Sequence, residues 1–216
     1  MIITVDGPAG AGKSSVAREL ARRLGFRFLD TGAMYRAVAL AGLRRGIDWQ
    51  CGDLLAELAR HIDLRVDDQR IYLDGEDVTE TVRSSAVTAV TRYAADEPGV
   101  REHLGDLQRA VAAGKNIVTE GRDQGTVVFP DAACKIFLTA SPRERARRRL
   151  RDLRSQGESV TLEEVLAAQE RRDRDDAART VAPLVPAADA VEVCTDALTL
   201  EEVVDRLEAI ARARLR

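Results

Sequence analysis

Residues 7–14 constrain the fold of this chain more than any other part of its sequence. They read Gly-Pro-Ala-Gly-Ala-Gly-Lys-Ser and match the pattern G-x-x-x-x-G-K-[S/T], directly after an apolar run and directly before a helical pattern. Glycines let consecutive backbone N–H groups turn inward around an anion, and the N-terminus of the following helix adds partial positive charge. The pattern therefore predicts a strand, a phosphate-binding loop and a helix, in that order.

The same loop predicts a nucleoside triphosphate site. Lys13 is placed to reach the β- and γ-phosphates, and the Ser14 hydroxyl is placed to ligate Mg²⁺. The residues predicted to bind the triphosphate are Gly7, Pro8, Ala9, Gly10, Ala11, Gly12, Lys13, Ser14 and Ser15. A guanine-reading switch is excluded because none of the chain's lysines lies in an Asn-Lys-x-Asp motif.

Short apolar runs alternate with amphipathic segments along the chain. Runs 2–5, 26–29, 117–119, 134–139 and 190–194 have the length and composition of buried strands. After the first run, Val16, Leu20 and Leu24 recur at fourfold spacing up to Gly25, a predicted helix stop. Three later helices are expected to open with an S/T-x-x-E capping box, at Ser141, Thr161 and Thr199. The alternation predicts an α/β fold with a parallel sheet core flanked by helices.

Two segments interrupt this rhythm. Residues 64–79 alternate apolar and polar side chains around polar turn residues, which predicts antiparallel hairpin structure inserted beside the core. Residues 143–179 are dense in charge and have few apolar anchors, so we expect them to form a mobile cover.

Charge and cysteine content narrow the function classes. The chain has 33 basic residues, of which thirty are arginine and three are lysine, against 36 acidic ones, giving a net charge of −3. Such a balance removes the electrostatic basis for general binding to nucleic acid or to a membrane surface. Three scattered cysteines predict neither a disulfide framework nor a zinc site, and no leader or membrane segment is recognisable. We expect a soluble cytoplasmic protein.

Arginines recur where a second ligand is expected. Arg36 follows the second predicted strand, and Arg122 with Asp123 follows the third, so all three reach the sheet edge where ligands bind. An arginine suits a phosphate and a carboxylate suits the amino group of a base, although a buried structural ion pair is an alternative.

The charged cover contributes further arginines. Arg145, Arg148 and Arg149 share one helical face, and residues 172–179 form a second charged cluster. A solvated face is the alternative for each single arginine. Beside a phosphate loop, two such clusters favour neutralisation of a phosphoryl group in transfer.

These residues resemble the bacterial cytidylate kinases, of the nucleoside monophosphate kinase group. The resemblance runs nearly end to end, and its most specific part is Gly121-Arg122-Asp123 followed by residues 125–132, Gly-Thr-Val-Val-Phe-Pro-Asp-Ala. It implies one P-loop kinase domain over 1–216. The implied parts are a core of 1–34, 113–142 and 181–216, a monophosphate-binding region with an insert at 35–112, and a helical lid at 143–180.

The resemblance also implies the reaction and the site. The enzyme would be a monomer that transfers the γ-phosphoryl group of MgATP to CMP or dCMP. Arg36 and Arg122 would hold the acceptor phosphate, and Arg101 and Asp123 would read the cytosine edge. The remaining substrate-binding residues implied are Thr31, Arg172, Asp176 and Arg179. The predicted catalytic residues are Lys13, Arg122, Arg145, Arg149 and Arg179.

This sequence departs from the family pattern at two places. A serine that touches cytosine is replaced by Arg92 beside Thr91, so either Thr91 takes its role or the contact is absent. Gln124 stands where the family tends to have an apolar residue. The competing functions are a small kinase for another acceptor, such as shikimate, and a nucleotide-dependent binding protein without transfer activity.

Overall fold

A computed structural model describes residues 1–67, 70–155 and 157–214. The strands are β1 (Ile2–Asp6), β2 (Arg27–Asp30), β3 (Leu64–Val66), β4 (Ile71–Leu73), β5 (Glu76–Asp77), β6 (Ile117–Gly121), β7 (Cys134–Thr139) and β8 (Val191–Cys194). The α-helices are α1 (Lys13–Leu24), α2 (Thr31–Arg45), α3 (Gly52–His61), α4 (Ser85–Asp96), α5 (Pro98–Ala112), α6 (Pro142–Ser155), α7 (Leu162–Ala178) and α8 (Leu200–Arg214). A 3₁₀ turn spans Thr81–Arg83, and a π-helical turn spans Gln124–Val128.

The predicted strands form the expected sheet. Within the described residues, five strands are ordered β2-β6-β1-β7-β8, and β7 pairs in parallel with both β1 and β8. Each of the five runs predicted from apolar composition overlaps one of these strands. The α/β fold class with a parallel core sheet is therefore confirmed.

The chain divides into two compact units, one formed by Met1–Phe26 with Val118–Arg216 and the other by Arg27–Ile117. In the first unit, α1 packs against α8 and α6 packs against α7. The α1–α8 contact includes Arg23, which lies within salt-bridge distance of Glu19, Asp205 and Glu208. In the second unit, α2 packs against α4 and α3 packs against α5.

The predicted hairpin segment is a small antiparallel sheet in the second unit. Strands β3, β4 and β5 pair in that order, and Leu64, Ile71 and Leu73 are buried. Between β4 and β5 the chain turns through Asp74 and Gly75, both with positive φ, as an Asp-Gly hairpin turn requires. The prediction is confirmed for the described residues; Asp68 and Gln69 lie outside them.

Three of the four helix ends predicted from the sequence follow the local chemistry, and the fourth does so only in part. Gly25 ends α1 in the left-handed conformation, as predicted, and both Thr161 and Thr199 exchange the reciprocal hydrogen bonds of a capping box. At Ser141 only one of the two hydrogen bonds of the predicted capping box forms, so the prediction is wrong for the other. The Ser141 hydroxyl accepts from the Glu144 N–H at 3.4 Å, but the Ser141 N–H donates to Asp196 at 2.9 Å. Asp196 therefore replaces the expected partner through a tertiary contact.

The charged cover is more regular than its composition indicates, because α6 and α7 occupy most of it. Gln156, between these helices, lies outside the described residues. In the part of the chain that the structure describes, no helix combines the length and apolar character needed to cross a bilayer.

Gly7 is required by a close approach between the phosphate loop and β7. Its φ is 143°, and a Cβ built on it would lie 1.9 Å from the backbone oxygen of Leu138. We expect Gly7→Ala to lower the free energy of unfolding by about 3 kcal/mol, because both the backbone conformation and the space exclude a side chain.

Gly114→Ala is the matched control. Gly114 also has a positive φ, 71°, but a Cβ there would meet no atom within 4 Å, so a loss of only about 1 kcal/mol is expected. Urea unfolding followed by circular dichroism compares the two. Equal losses of free energy of unfolding in the two variants would show that the close approach to Leu138 does not require a glycine at position 7.

Candidate active site

The loop between β1 and α1 has the backbone of an anion site. Gly7, Gly10 and Gly12 all have positive φ, which turns the chain so that its N–H groups can line one face. Among the described residues no side chain caps the first turn of α1, and that turn contains no acidic residue. The helix N-terminus therefore presents its donors and its positive end to an anion.

Lys13 is buried within this loop, with 5% of its surface exposed. Its ammonium group donates to the carbonyl oxygen of Pro8 at 2.9 Å. Burial, together with the charge of Arg122, lowers the pKa of Lys13 to about 7, although Glu120 opposes this. A bound polyphosphate would supply the negative charge that the ammonium form needs.

Ser14 lies beside a buried acid. Its hydroxyl donates to Oε1 of Glu120 at 2.9 Å, and Glu120 lies in β6 with 5% of its surface exposed. A hydroxyl and a carboxylate beside a phosphate-binding loop match the few protein oxygens with which Mg²⁺ is usually held. The described residues contain no cluster of three or more His, Cys, Asp or Glu side chains that could hold a metal without a phosphate.

Asp6, at the end of β1, connects the phosphate loop to the Arg122–Asp123 segment. Its two carboxylate oxygens accept the backbone N–H groups of Gln124 and Gly125, at 2.9 and 2.7 Å. Burial raises the pKa of Asp6 to about 6, since the hydrogen bonds from the turn offset the cost of desolvation only in part.

Arg122 belongs to an ion-pair cluster with Asp176, which lies in α7, and Arg179, which follows that helix. Its Nε lies 3.1 Å from Asp176, and Arg179 bonds the second oxygen of the same carboxylate. Burial acts to raise the pKa of Asp176, but the nearby guanidinium groups hold it below its usual value. Three of the predicted substrate-binding residues are thus in contact with one another. The charge of Arg122 also lowers the pKa of Lys13.

The three arginines of α6 that are predicted to share one helical face differ in their surroundings. Arg145 is buried, donates to the carbonyls of Ala9 and Ala140, and pairs with Asp173 at 2.6 Å. Arg148 donates to Thr195 and Glu144. These two side chains therefore hold α6 against the phosphate loop and the end of the sheet.

Arg149 is the exception in this group. It is half-buried, and no hydrogen bond or ion pair joins it to another residue that the structure describes. Arg172, by contrast, is exposed on α7 and contributes to the electrostatics of Lys13 and Asp176.

The second unit contains the other predicted acceptor residues. Asp30 caps α2 by accepting the Ala33 N–H at 2.8 Å, and it lies 3.5 Å from Arg36 and 3.2 Å from Arg83. The Nε of Arg36 is buried and has no hydrogen-bond partner among the described residues. Thr31 is buried at the start of α2.

Arg101 is also buried in this unit. It donates to the carbonyl of Ala95 at 2.7 Å, and its guanidinium lies 5.6 Å from the centre of the Tyr35 ring.

The two departures from the family pattern have local explanations. The Thr91 hydroxyl donates to the Val87 carbonyl within α4, and Arg92 lies over the ring of Tyr93 and donates to its hydroxyl. Gln124 is fully buried, and its Oε1 accepts the hydroxyl of Thr119 at 2.9 Å. A polar side chain is therefore satisfied at a position where an apolar one is usual.

Sequence reasoning missed three acidic groups of the site: Asp6, Glu120 and Asp173. A signal existed for the first two, because each is the one charged residue of a mostly buried strand, at or next to its C-terminal end. Asp173 lies in a charged run where nothing distinguishes it.

The raised pKa of Asp6 predicts a pH-dependent loss of stability. Because the pKa is higher in the folded state than in the unfolded state, the contribution of Asp6 is fully present below about pH 4 and is lost as the pH rises through about 6. Asp6→Asn removes this titration. We expect the stability of the natural protein, relative to that variant, to fall by about 3 kcal/mol between pH 4 and pH 7. Urea unfolding across this range measures the difference in free energy of unfolding between the two proteins. A difference that does not change with pH would contradict the raised pKa of Asp6.

The sequence is similar to proteins of one known family of kinases. The family model described as cytidylate kinase matches residues 3–213. A cytidylate kinase of Rhodopirellula baltica is 54% identical over 98% of this chain and 93% of its own length. A cytidylate kinase of Pelotomaculum thermopropionicum is 50% identical over 96% and 94%.

Two solved structures share the fold alone. One is an uncharacterized protein from Eubacterium ventriosum, with a TM-score of 0.54 and 11% identity over 99% of each chain. The other is a shikimate kinase from Bacteroides thetaiotaomicron, with a TM-score of 0.51 and 19% identity over 98% of each chain. Since the family model spans nearly the whole sequence and the relatives share about half of its residues, the chain belongs to the cytidylate kinase family.

Proposed function

We propose that this protein transfers the γ-phosphoryl group of MgATP to CMP, and also to dCMP, giving ADP and CDP or dCDP. The observation that carries the proposal is the joint presence, in one compact unit, of a loop that buries Lys13 and of the Arg122–Asp123 pair after β6. The first suits a triphosphate donor, and the second suits an acceptor that has both a phosphate and an amino-bearing base. The names of the curated relatives support the same reaction.

In this proposal the donor lies in the phosphate loop. The backbone N–H groups of residues 7–15, apart from Pro8, which has none, bind its phosphates, and Lys13 regains its full charge against them. Ser14 would hold Mg²⁺, with the Glu120 carboxylate beside its hydroxyl. Bound there, the ion would neutralise part of the charge of the donor phosphates.

The acceptor is recognised through its phosphate and its base. Arg36 and Arg122 bind the phosphate as charged donors, while Thr31, Arg172, Asp176 and Arg179 contact the ribose or the phosphates. Cytosine has acceptors at O2 and N3, which suit Arg101, and a donor at N4, which suits Asp123. Uracil has a carbonyl oxygen at position 4 and an N–H at position 3, so a carboxylate at Asp123 discriminates against it.

The transfer itself needs no general base. A phosphate monoester is mostly a dianion at neutral pH, so its oxygen attacks the γ-phosphorus while the bond to the β-phosphate oxygen breaks. Lys13, Arg122 and Arg179 neutralise the charge that develops on the transferred group. Arg149 has a side chain available for the same role, and Arg145 contributes by holding the Ala9 carbonyl of the loop.

We also propose that the enzyme works as a monomer in the cytoplasm. The cysteines Cys51, Cys134 and Cys194 are all free thiols, which suits a reducing compartment.

A panel of acceptors tests the proposed function. Purified protein with MgATP is offered CMP, dCMP, UMP, AMP and shikimate in turn, and ADP formation is followed. We expect turnover with CMP and dCMP and much slower turnover with the others. Comparable turnover with UMP would overturn the cytosine assignment, fast turnover with shikimate would indicate another acceptor class, and ADP formation with no acceptor requirement would exclude a kinase.

Asp123→Asn tests the residue assigned to the base. The amide can no longer offer two charged acceptor oxygens to the cytosine amino group, so we expect kcat/KM for CMP to fall by about 100-fold. The value for UMP should change by about threefold or less. Asp131→Asn, an exposed acid on the same segment, is the matched control and should leave both values unchanged. An equal loss with CMP and UMP would indicate a structural role for Asp123.

A further inference from the structure

Asp6 is a buried acid for which the proposed reaction has no direct use. It lies at the last position of β1, directly before the phosphate loop, with 5% of its surface exposed. Desolvation by burial opposes ionisation of the carboxylate there, which is why its pKa is raised to about 6. The nearby charge of Asp123 adds to that cost, and the charge of Lys13 reduces it. A position that only needed packing would be more stable with an apolar side chain.

The contacts of Asp6 indicate what the carboxylate does. Its oxygens accept the N–H groups of Gln124 and Gly125, two consecutive donors at the start of the π-helical turn Gln124–Val128. These donors directly follow Arg122 and Asp123. A short helical turn has no free carbonyl for its first N–H groups, so the carboxylate acts as their cap from a different strand.

The same turn is fixed from its other sides. The carbonyl of Asp123 accepts the N–H groups of Val127 and Val128, at 2.9 and 3.2 Å. Gly125 lies so close to β1 that a Cβ on it would be 2.9 Å from the Thr4 hydroxyl and 3.3 Å from the Asp6 carboxylate. The backbone at Asp123 therefore depends on contacts between the turn and β1.

We propose that Asp6 is a positioning residue for acceptor recognition. By binding the Gln124 and Gly125 N–H groups, it orients the Asp123 carboxylate toward the amino group of the base. The inference rests on the proposed function, because it takes Asp123 as the residue that reads cytosine. Since Asp6 also directly precedes the phosphate loop, it ties the acceptor-reading turn to the strand that carries the donor site.

Asp6→Asn is the direct test. Asparagine keeps one acceptor oxygen but turns an NH₂ group toward the second N–H, so one of the two bonds is lost. We expect KM for CMP to rise by about tenfold or more and the ratio of kcat/KM for CMP over UMP to fall by about tenfold. KM for ATP should stay within about twofold, because the phosphate loop keeps its own contacts.

Two further variants separate positioning from damage to the fold. Thr4→Val changes a buried side chain on the same strand, whose hydroxyl has no hydrogen-bond partner among the described residues, and it should leave KM for CMP within about twofold of the natural value. Gly125→Ala displaces the turn from β1 by another route and should reproduce the loss of CMP over UMP selectivity.

Isothermal titration with CMP in the absence of ATP completes the test. We expect weaker CMP binding by Asp6→Asn at an unchanged circular dichroism spectrum. Unchanged CMP binding and selectivity in that variant would overturn the inference while the proposed function stands. Equal rises in KM for ATP and for CMP would also overturn it, because they indicate a general structural role. Failure of the natural protein to phosphorylate CMP would instead refute the proposed function.

Discussion

The burial of the Lys13 ammonium group is the interaction on which the rest of the site depends. A cation with 5% exposure needs partners, and within the folded chain it has the Pro8 carbonyl and the field of Glu120 and Asp6. These groups do not restore its normal basicity, since its pKa is lowered to about 7. The loop therefore suits a ligand that brings several negative charges, and a triphosphate is such a ligand.

The acidic groups around Lys13 link the donor loop to the acceptor-reading segment. Glu120 contacts Ser14 from β6, and Asp6 holds the turn that follows Asp123. Both carboxylates are buried, and Asp6 lowers stability near neutral pH, as the direction of its pKa shift indicates. A buried carboxylate that costs stability can still be useful in a site that must be held rigidly. It accepts two N–H groups at once, which an apolar packing residue cannot do.

The sequence was most informative where the signal is local. The phosphate loop, the strands of the core and the stop at Gly25 could all be predicted because each depends on neighbouring residues. The pairing of Ser141 with Asp196 could not, since the two lie 55 positions apart and compete with a local capping box. The contact between Asp6 and the Gln124 N–H spans 118 positions, and the role of Arg145 as a support for Ala9 spans 136. Long-range contacts of this kind are set by the topology of the sheet and leave only a weak trace in the sequence, such as an acid at the end of an apolar strand.

One isotope experiment tests the central claim, direct phosphoryl transfer from ATP to CMP, more directly than any rate. The protein is incubated with CMP, Mg²⁺ and ATP whose γ-phosphoryl oxygens carry a heavy oxygen isotope. The masses of the products are then measured by mass spectrometry. We expect the labelled group to appear in the β-phosphoryl of CDP, in an amount equal to the ADP formed. Label released as inorganic phosphate, with CMP left unchanged, would contradict it.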